Sequence, residues 1–118
     1  MQTANAVSQR VEVLRLPHPS VNGMQTTASG LILPDITVYE DIDYGGNAWR
    51  TSFAYSYVGD DWNDKISSFV IHAGYFQFYA DANFITPVGG LLGPGYYHWV
   101  ADVGIPNDVI SSWHAYYG

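Results

Sequence analysis

The amino-acid sequence predicts an all-β domain, a two-sheet sandwich built by internal duplication. Three observations lead there. The hexapeptide Asn63-Asp64-Lys65-Ile66-Ser67-Ser68 returns 44 residues later as Asn107-Asp108-Val109-Ile110-Ser111-Ser112. Aromatic residues make up 16% of the chain and charged residues only 13%, a balance that suits short strands with packed faces. Twelve glycines and six prolines break the chain at turn-like intervals, and no segment carries a convincing helical stripe.

At 118 residues the chain is one domain, or one domain with an appendage. A chain of this size buries roughly two-thirds of its unfolded surface, enough for a self-supporting core. Its net charge is −7. Residues 35–118 hold ten acids and two bases, which argues against a nucleic-acid partner and favours attraction of divalent cations. The absence of Cys removes disulfides, thiolate metal sites and cysteine nucleophiles together. No apolar run reaches the roughly 18 residues of a membrane span. The N-terminus lacks the basic-then-apolar profile of a signal peptide.

Residues 1–35 read as an N-terminal extension. Residues 1–9 are small, polar and aperiodic, and residues 10–16 alternate partially, which suggests a strand ended by Pro17 and Pro19. Residues 21–30 are turn-prone, and Leu31-Ile32-Leu33 is a short apolar run stopped by Pro34. Two readings stand: a segment lying across the domain surface, or an edge arm pairing with a neighbouring molecule.

The duplicated domain covers 36–118, with motif one at about 36–74 and motif two at about 75–118. Residues 36–40 form the first predicted strand, followed by a turn through Asp41-Ile42-Asp43-Tyr44-Gly45-Gly46. Residues 47–57 carry Trp49 and then Phe53, Tyr55 and Tyr57, which alternate as on one strand face. Residues 68–72 close motif one. The pattern restarts at residues 76–80, with Asp81-Ala82-Asn83-Phe84 standing 40 residues after Asp41-Ile42-Asp43-Tyr44. Residues 89–95 read as a turn, 96–100 as a strand, and 112–116 as the last strand. Two units of about 40 residues are too few for a solenoid, and short strands with frequent turns fit a sandwich.

Each hexapeptide offers amide, carboxylate, hydroxyl and backbone carbonyl oxygens within one turn, which is the donor chemistry of Ca²⁺. The same residues also suit an Asx turn with hydroxyl back-bonding.

From 36 to 117 the chain resembles a βγ-crystallin domain, particularly the calcium-binding microbial kind built from two Greek-key motifs. The resemblance rests on an aromatic-x₄-aromatic-x-Gly hairpin followed by the hexapeptide. Motif one supplies Tyr39, Tyr44 and Gly46, then Asn63 to Ser68; motif two supplies Tyr79 and Phe84, then Asn107 to Ser112. Thr86 stands where the family has its second-hairpin glycine. The resemblance implies two Ca²⁺ ions held by ligands exchanged between motifs. Site one would use the carbonyls of Glu40 and Lys65, the Ser67 hydroxyl, and a side chain from Asn107 or Asp108. Site two would use the carbonyls of Ala80 and Val109, the Ser111 hydroxyl, and a side chain from Asn63 or Asp64. Within each pair the carboxylates Asp64 and Asp108 are the better ligands. With about one carboxylate per site, dissociation constants of roughly 10⁻⁶ to 10⁻³ M follow.

Other chemistries fit less well. His18, His72, His98 and His114 lack zinc-ligand spacing, and His72 and His114 read as sheet-face residues. Glu40, Asp41 and Asp43 would need a cleft to act as a glycosidase pair. Trp49, Trp62, Trp99 and Trp113 are expected in the core rather than stacked on sugars, and no G-x-S-x-G, phosphate-loop or dinucleotide fingerprint occurs. The expected function is therefore non-enzymatic calcium binding that stabilises the fold. The alternative is a secreted inhibitor or adhesion module using residues 1–35 or 87–94 as its contact surface, with an unidentified protein partner or a homo-oligomer formed through the extension. Weak sites would be empty in a resting cytosol, which favours an extracellular setting; localisation is otherwise open.

Overall fold

The computed structural model describes residues 6–14 and 32–118. The end of the strand expected over residues 10–16 with Pro17 and Pro19, the turn expected over residues 21–30, Leu31 of the apolar run, and His18 lie outside them. The described residues form nine strands: β1 (Gln9–Val11), β2 (Asp35–Asp41), β3 (Gly45–Thr51), β4 (Ala54–Tyr57), β5 (Ser68–Ala73), β6 (Tyr75–Asp81), β7 (Ile85–Leu92), β8 (Gly95–Tyr97) and β9 (Ser112–Tyr116). Short 3₁₀ turns occupy Ile42–Tyr44 and Val100–Val103.

The strands make two antiparallel sheets, in the orders β3-β2-β5-β8 and β1-β4-β9-β6-β7. Without β1 the two orders are equivalent: β3, β2, β5 and β4 of motif one match β7, β6, β9 and β8 of motif two. In each motif the third strand leaves its own sheet and joins the other's. β4 pairs with β9 through Tyr55 and Trp113, and β8 pairs with β5 from Phe69 to Ile71. Neither sheet is complete without a strand from the other motif, so the halves fold as one body.

Alternation decides the core. In β9, Trp113 and Ala115 are buried while His114 and Tyr116 face outward; in β6, Phe76 and Phe78 point inward. Ile66 and Ile110, the fourth residues of the two hexapeptides, are both fully buried. Each one anchors its loop, which fixes the neighbouring Asn-Asp at the surface and the Ser-Ser pair beneath it. Trp49 stacks on Trp62 and lies 5.7 Å from Trp113, and the Trp113 indole donates to the Phe53 carbonyl at 3.0 Å. Trp99 departs from the expected packing, at 41% exposed.

Local departures have physical causes. Phe53 lies in the turn between β3 and β4, where Arg10 caps its ring at 4.4 Å, so it does not continue the Tyr55–Tyr57 strand. The glycine-rich stretch read as a turn largely belongs to β7. That strand lies at a sheet edge, where Pro87 is tolerated and a bulge opposite Gln77 and Phe78 absorbs extra residues. Gly89 and Gly90 there adopt φ of 80° and 73°. β8 stops at Tyr97, and the chain turns into the 3₁₀ segment instead of extending to Val100.

Residues 9–11 do form an edge strand, paired within the same chain to β4 (Arg10 opposite Tyr55, Val11 opposite Ala54). Leu14 then bridges to the end of β9: its amide donates to the Ala115 carbonyl at 2.8 Å, and its carbonyl accepts from Tyr117 at 2.9 Å.

Candidate metal centres

Two surface notches sit where the motifs meet, each framed by a hairpin of one motif and a loop of the other. The hairpins are locked by the last serine of each hexapeptide. Ser68 Oγ donates to the Asp41 carbonyl at 2.6 Å and accepts from the Tyr44 amide at 3.0 Å. Ser112 Oγ does the same for Asp81 and Phe84, at 2.6 and 3.2 Å. Both serines are fully buried. The hairpins fold over edge-on aromatic pairs of identical geometry, Tyr39 with Tyr44 and Tyr79 with Phe84, each at 5.6 Å and 71°.

The preceding serines reach into the notches. Their amides are fixed to the hairpin strands, Ser67 to the Tyr39 carbonyl at 3.0 Å and Ser111 to the Tyr79 carbonyl at 2.9 Å. Their carbonyls accept from the opposite motif, Ser67 from Val100 and Ser111 from Val58, both at 2.9 Å. Asp64 and Asp108 hold left-handed φ of 58° and 62°, a conformation that Asp tolerates and that turns each side chain toward the other motif.

The second notch is the more gathered. Ser111 Oγ lies 2.5 Å from Asn63 Oδ1, 2.9 Å from the Ala80 carbonyl, and 3.4 Å from both Asp64 Oδ1 and the Val109 carbonyl. A hydroxyl carries a single proton, so four acceptors converge where one donor is available. Oxygens gathered in this way around one hydroxyl are the donor chemistry that suits a hard cation. Asn63 stands nearer the hydroxyl than Asp64 does, although the carboxylate is the stronger ligand type.

The first notch is lined by Glu40, Asp41, Ile42, Asp64, Lys65, Ser67, Asn107 and Asp108. Ser67 Oγ donates to Asp108 Oδ1 at 3.1 Å across the motif boundary. The Glu40 carboxylate accepts from the Asn47 side-chain amide at 3.2 Å. All ten residues singled out in the sequence therefore lie at one notch or the other, and every donor atom is oxygen. No group of three or more Asp, Glu, His or Cys side chains fit to hold a metal occurs among the described residues. What distinguishes the notches is the convergence of neutral oxygens on one or two carboxylates.

Sequence reasoning passed over Asp41 and Ile42 at the first notch, and the locking role of Ser68 and Ser112. The signal for the serines was present, because each repeats as the final residue of both hexapeptides. Thr86 takes φ of 64°, matching Gly46 at 74°, and donates to Asp81 Oδ2 at 2.8 Å. The second hairpin thus keeps the first one's path without its glycine.

His72, His98 and His114 bond to groups other than the residues of the two oxygen clusters. His72 bonds Thr37 Oγ1 at 2.9 Å. His114 bonds Tyr79 Oη at 3.0 Å and stacks on Phe84 at 3.7 Å, and burial pushes its pKa below the usual imidazole value. His98 lies between Asp43 Oδ1 at 3.1 Å and Asp102 Oδ2 at 2.7 Å.

A family model described as Beta/Gamma crystallin matches residues 35–115. A solved betagamma-crystallin from an archaeon is 34% identical, with a TM-score of 0.65 over 70% of this chain and 98% of that one. A beta gamma crystallin from Ciona intestinalis is 25% identical, with a TM-score of 0.62 over 69% and 98%. A structure from Methanosaeta thermophila, titled a transition-metal-ion-binding betagamma-crystallin, is 27% identical, with a TM-score of 0.60 over 67% and 96%. No curated protein matches the chain.

Proposed function

This chain belongs to the βγ-crystallin family, and from that premise we propose that it binds about two Ca²⁺ ions at the paired notches, as a non-enzymatic protein stabilised by the ion. The observation that carries the reading is the set of four acceptor oxygens around the single Ser111 hydroxyl. Site one comprises the Glu40 and Lys65 carbonyls, Ser67 Oγ and Asn107-Asp108. Site two comprises the Ala80 and Val109 carbonyls, Ser111 Oγ and Asn63-Asp64. The Methanosaeta relative is titled a transition-metal binder. Transition metals favour imidazole and thiolate ligands, whereas these notches present only oxygen, so Ca²⁺ suits this chain better.

Each ion takes oxygens from both motifs, so binding ties the hairpin of one to the loop of the other. An ion at 100 times its dissociation constant adds about 2.7 kcal/mol of stability. Calorimetric titration with Ca²⁺, together with thermal melts, tests the proposal. The expected result is about two ions per chain, with a melting temperature that rises with Ca²⁺ and falls with chelator. Ser67→Ala and Ser111→Ala should each weaken mainly one site. Absence of binding at millimolar Ca²⁺ overturns the reading.

A further inference from the structure

The loops that deliver the cross-motif ligands are braced differently. The loop before Asn107 is six residues long (101–106), begins in the 3₁₀ turn, and is tied back through Asp102 to His98 at 2.7 Å. The loop before Asn63 is shorter, with the N-terminal arm in place of such a turn. The Ala6 amide donates to Asp60 Oδ2 at 2.8 Å, and the Asp60 amide returns to the Ala6 carbonyl at 2.9 Å. Ser8 Oγ donates to the Val58 carbonyl at 2.7 Å. Tyr57 Oη also donates to Asp60, whose carboxyl is thereby held below the ordinary carboxylate range while the phenol is pushed up to about 12.

The arm also closes against Gly59. That residue has φ of 96°, and a Cβ on it would stand only 3.0 Å from the Ser8 amide nitrogen. The Gly59 carbonyl in turn accepts from Trp62 at 3.1 Å and Asn63 at 2.8 Å. A continuous chain of hydrogen bonds and close packing therefore runs from Ala6 and Ser8, through residues 58–60, to Asn63 and Asp64 at Ser111.

We propose that residues 6–8 are a positioning element for site two: by bracing the loop that aims Asn63 and Asp64, they raise its cation affinity, and occupancy of site two in turn holds the arm down. The coupling is reciprocal by linkage. It rests on the cation-binding reading above. Site one draws its cross-motif ligand from the other loop and takes from this one Lys65 and Ser67, which lie beyond the braced residues, so it serves as the comparison.

The test uses the full chain with Ala6→Pro and Ser8→Ala together. These substitutions remove the Ala6 amide and the Ser8 hydroxyl, alter no loop residue and no ligand, and leave the net charge unchanged. Ca²⁺ calorimetry is run in two backgrounds, Ser67→Ala to isolate site two and Ser111→Ala to isolate site one. Site-two affinity is expected to fall about fivefold or more, the lower end of ordinary coupling, with site one held within about twofold. In the unsubstituted arm, Ca²⁺ should slow hydrogen exchange at the Asp60 amide. Unchanged site-two affinity, an equal loss at both sites, or Asp60 exchange indifferent to Ca²⁺ overturns the proposal. Absence of Ca²⁺ heat in the parent chain overturns the underlying reading instead, so the two failures are told apart.

Discussion

In motif one the hairpin turns on Gly46, and a Cβ there would stand 2.7 Å from Asp41 Oδ2 and 3.1 Å from Glu40 Cβ. In motif two Thr86 takes the same left-handed conformation and donates its hydroxyl to Asp81. Around Ser111 four acceptor oxygens are gathered, while around Ser67 the corresponding bond is the one to Asp108. The arm covers the outer edge of β4, and among the described residues no strand pairs with the matching edge of β8. The features that stay the same are those that join hairpin to hexapeptide: the locking serines, the aromatic pairs and the buried isoleucines. The features that differ lie at the rim. Duplication has been held where both sheets depend on it and released where only one notch does.

The largest effect should come from breaking what the motifs share. Ser68→Ala and Ser112→Ala each leave a part-buried amide and a carbonyl without their common partner, at a cost of about 1–3 kcal/mol. Urea unfolding of both variants should give losses equal within about 0.5 kcal/mol, as expected of equivalent, well-separated sites. A loss at one serine alone would mean that the hairpins are not equivalent folding units.

The turn residues come next. Gly46→Ala forces a Cβ against Asp41 in a left-handed conformation and should cost about 2 kcal/mol. Thr86→Gly relieves roughly 1–2 kcal/mol of backbone strain and forfeits a hydrogen bond worth about 1, so its net effect should stay within about 1 kcal/mol. A large loss for Thr86→Gly would show that the hydroxyl, rather than the backbone, sets the second hairpin.

These contrasts also mark what was legible in the sequence. The sandwich and the duplication could be read from the order of residues, because aromatic hairpin and hexapeptide recur together; the ten proposed ligand residues came through the family resemblance that this recurrence supports. The bulge of β7 could not, since Gly89 and Gly90 look like a turn until an edge position and a partner strand are known. Thr86 reads as a departure from a glycine rule, and only the nearby Asp81 carboxylate explains how it is accommodated. The bracing of loop 58–62 by Ala6 and Ser8 spans about fifty residues of sequence; no local pattern carries it.

Affinity should divide the two notches. The oxygens of site two are already assembled, so less ordering is needed on binding. Site two should bind Ca²⁺ about tenfold more tightly, a difference of about 1.4 kcal/mol. Single-site titrations in the Ser67→Ala and Ser111→Ala backgrounds measure this directly. Equal affinities would mean that site one gathers its ligands at no added cost.

The smallest effect concerns a single position on the outer faces. Val70 of β5 and His114 of β9 each stand two residues beyond a locking serine. Burial against Phe84 and Tyr79 holds the His114 pKa below its ordinary value of 6.5. The unfolded chain therefore takes up a proton there more readily than the folded one. Stability contributed by neutral His114 is present above the unfolded value and is lost as pH falls from it toward the folded pKa. Urea unfolding at about pH 7.5 and about pH 5.5 spans the start of that loss. His114→Val, which gives motif two the residue of motif one, should flatten this part of the pH dependence and leave the remainder, common to both proteins, in place. An unaltered slope in His114→Val would assign the pH dependence to groups outside the Phe84–Tyr79 face and remove His114 from the differences between the motifs.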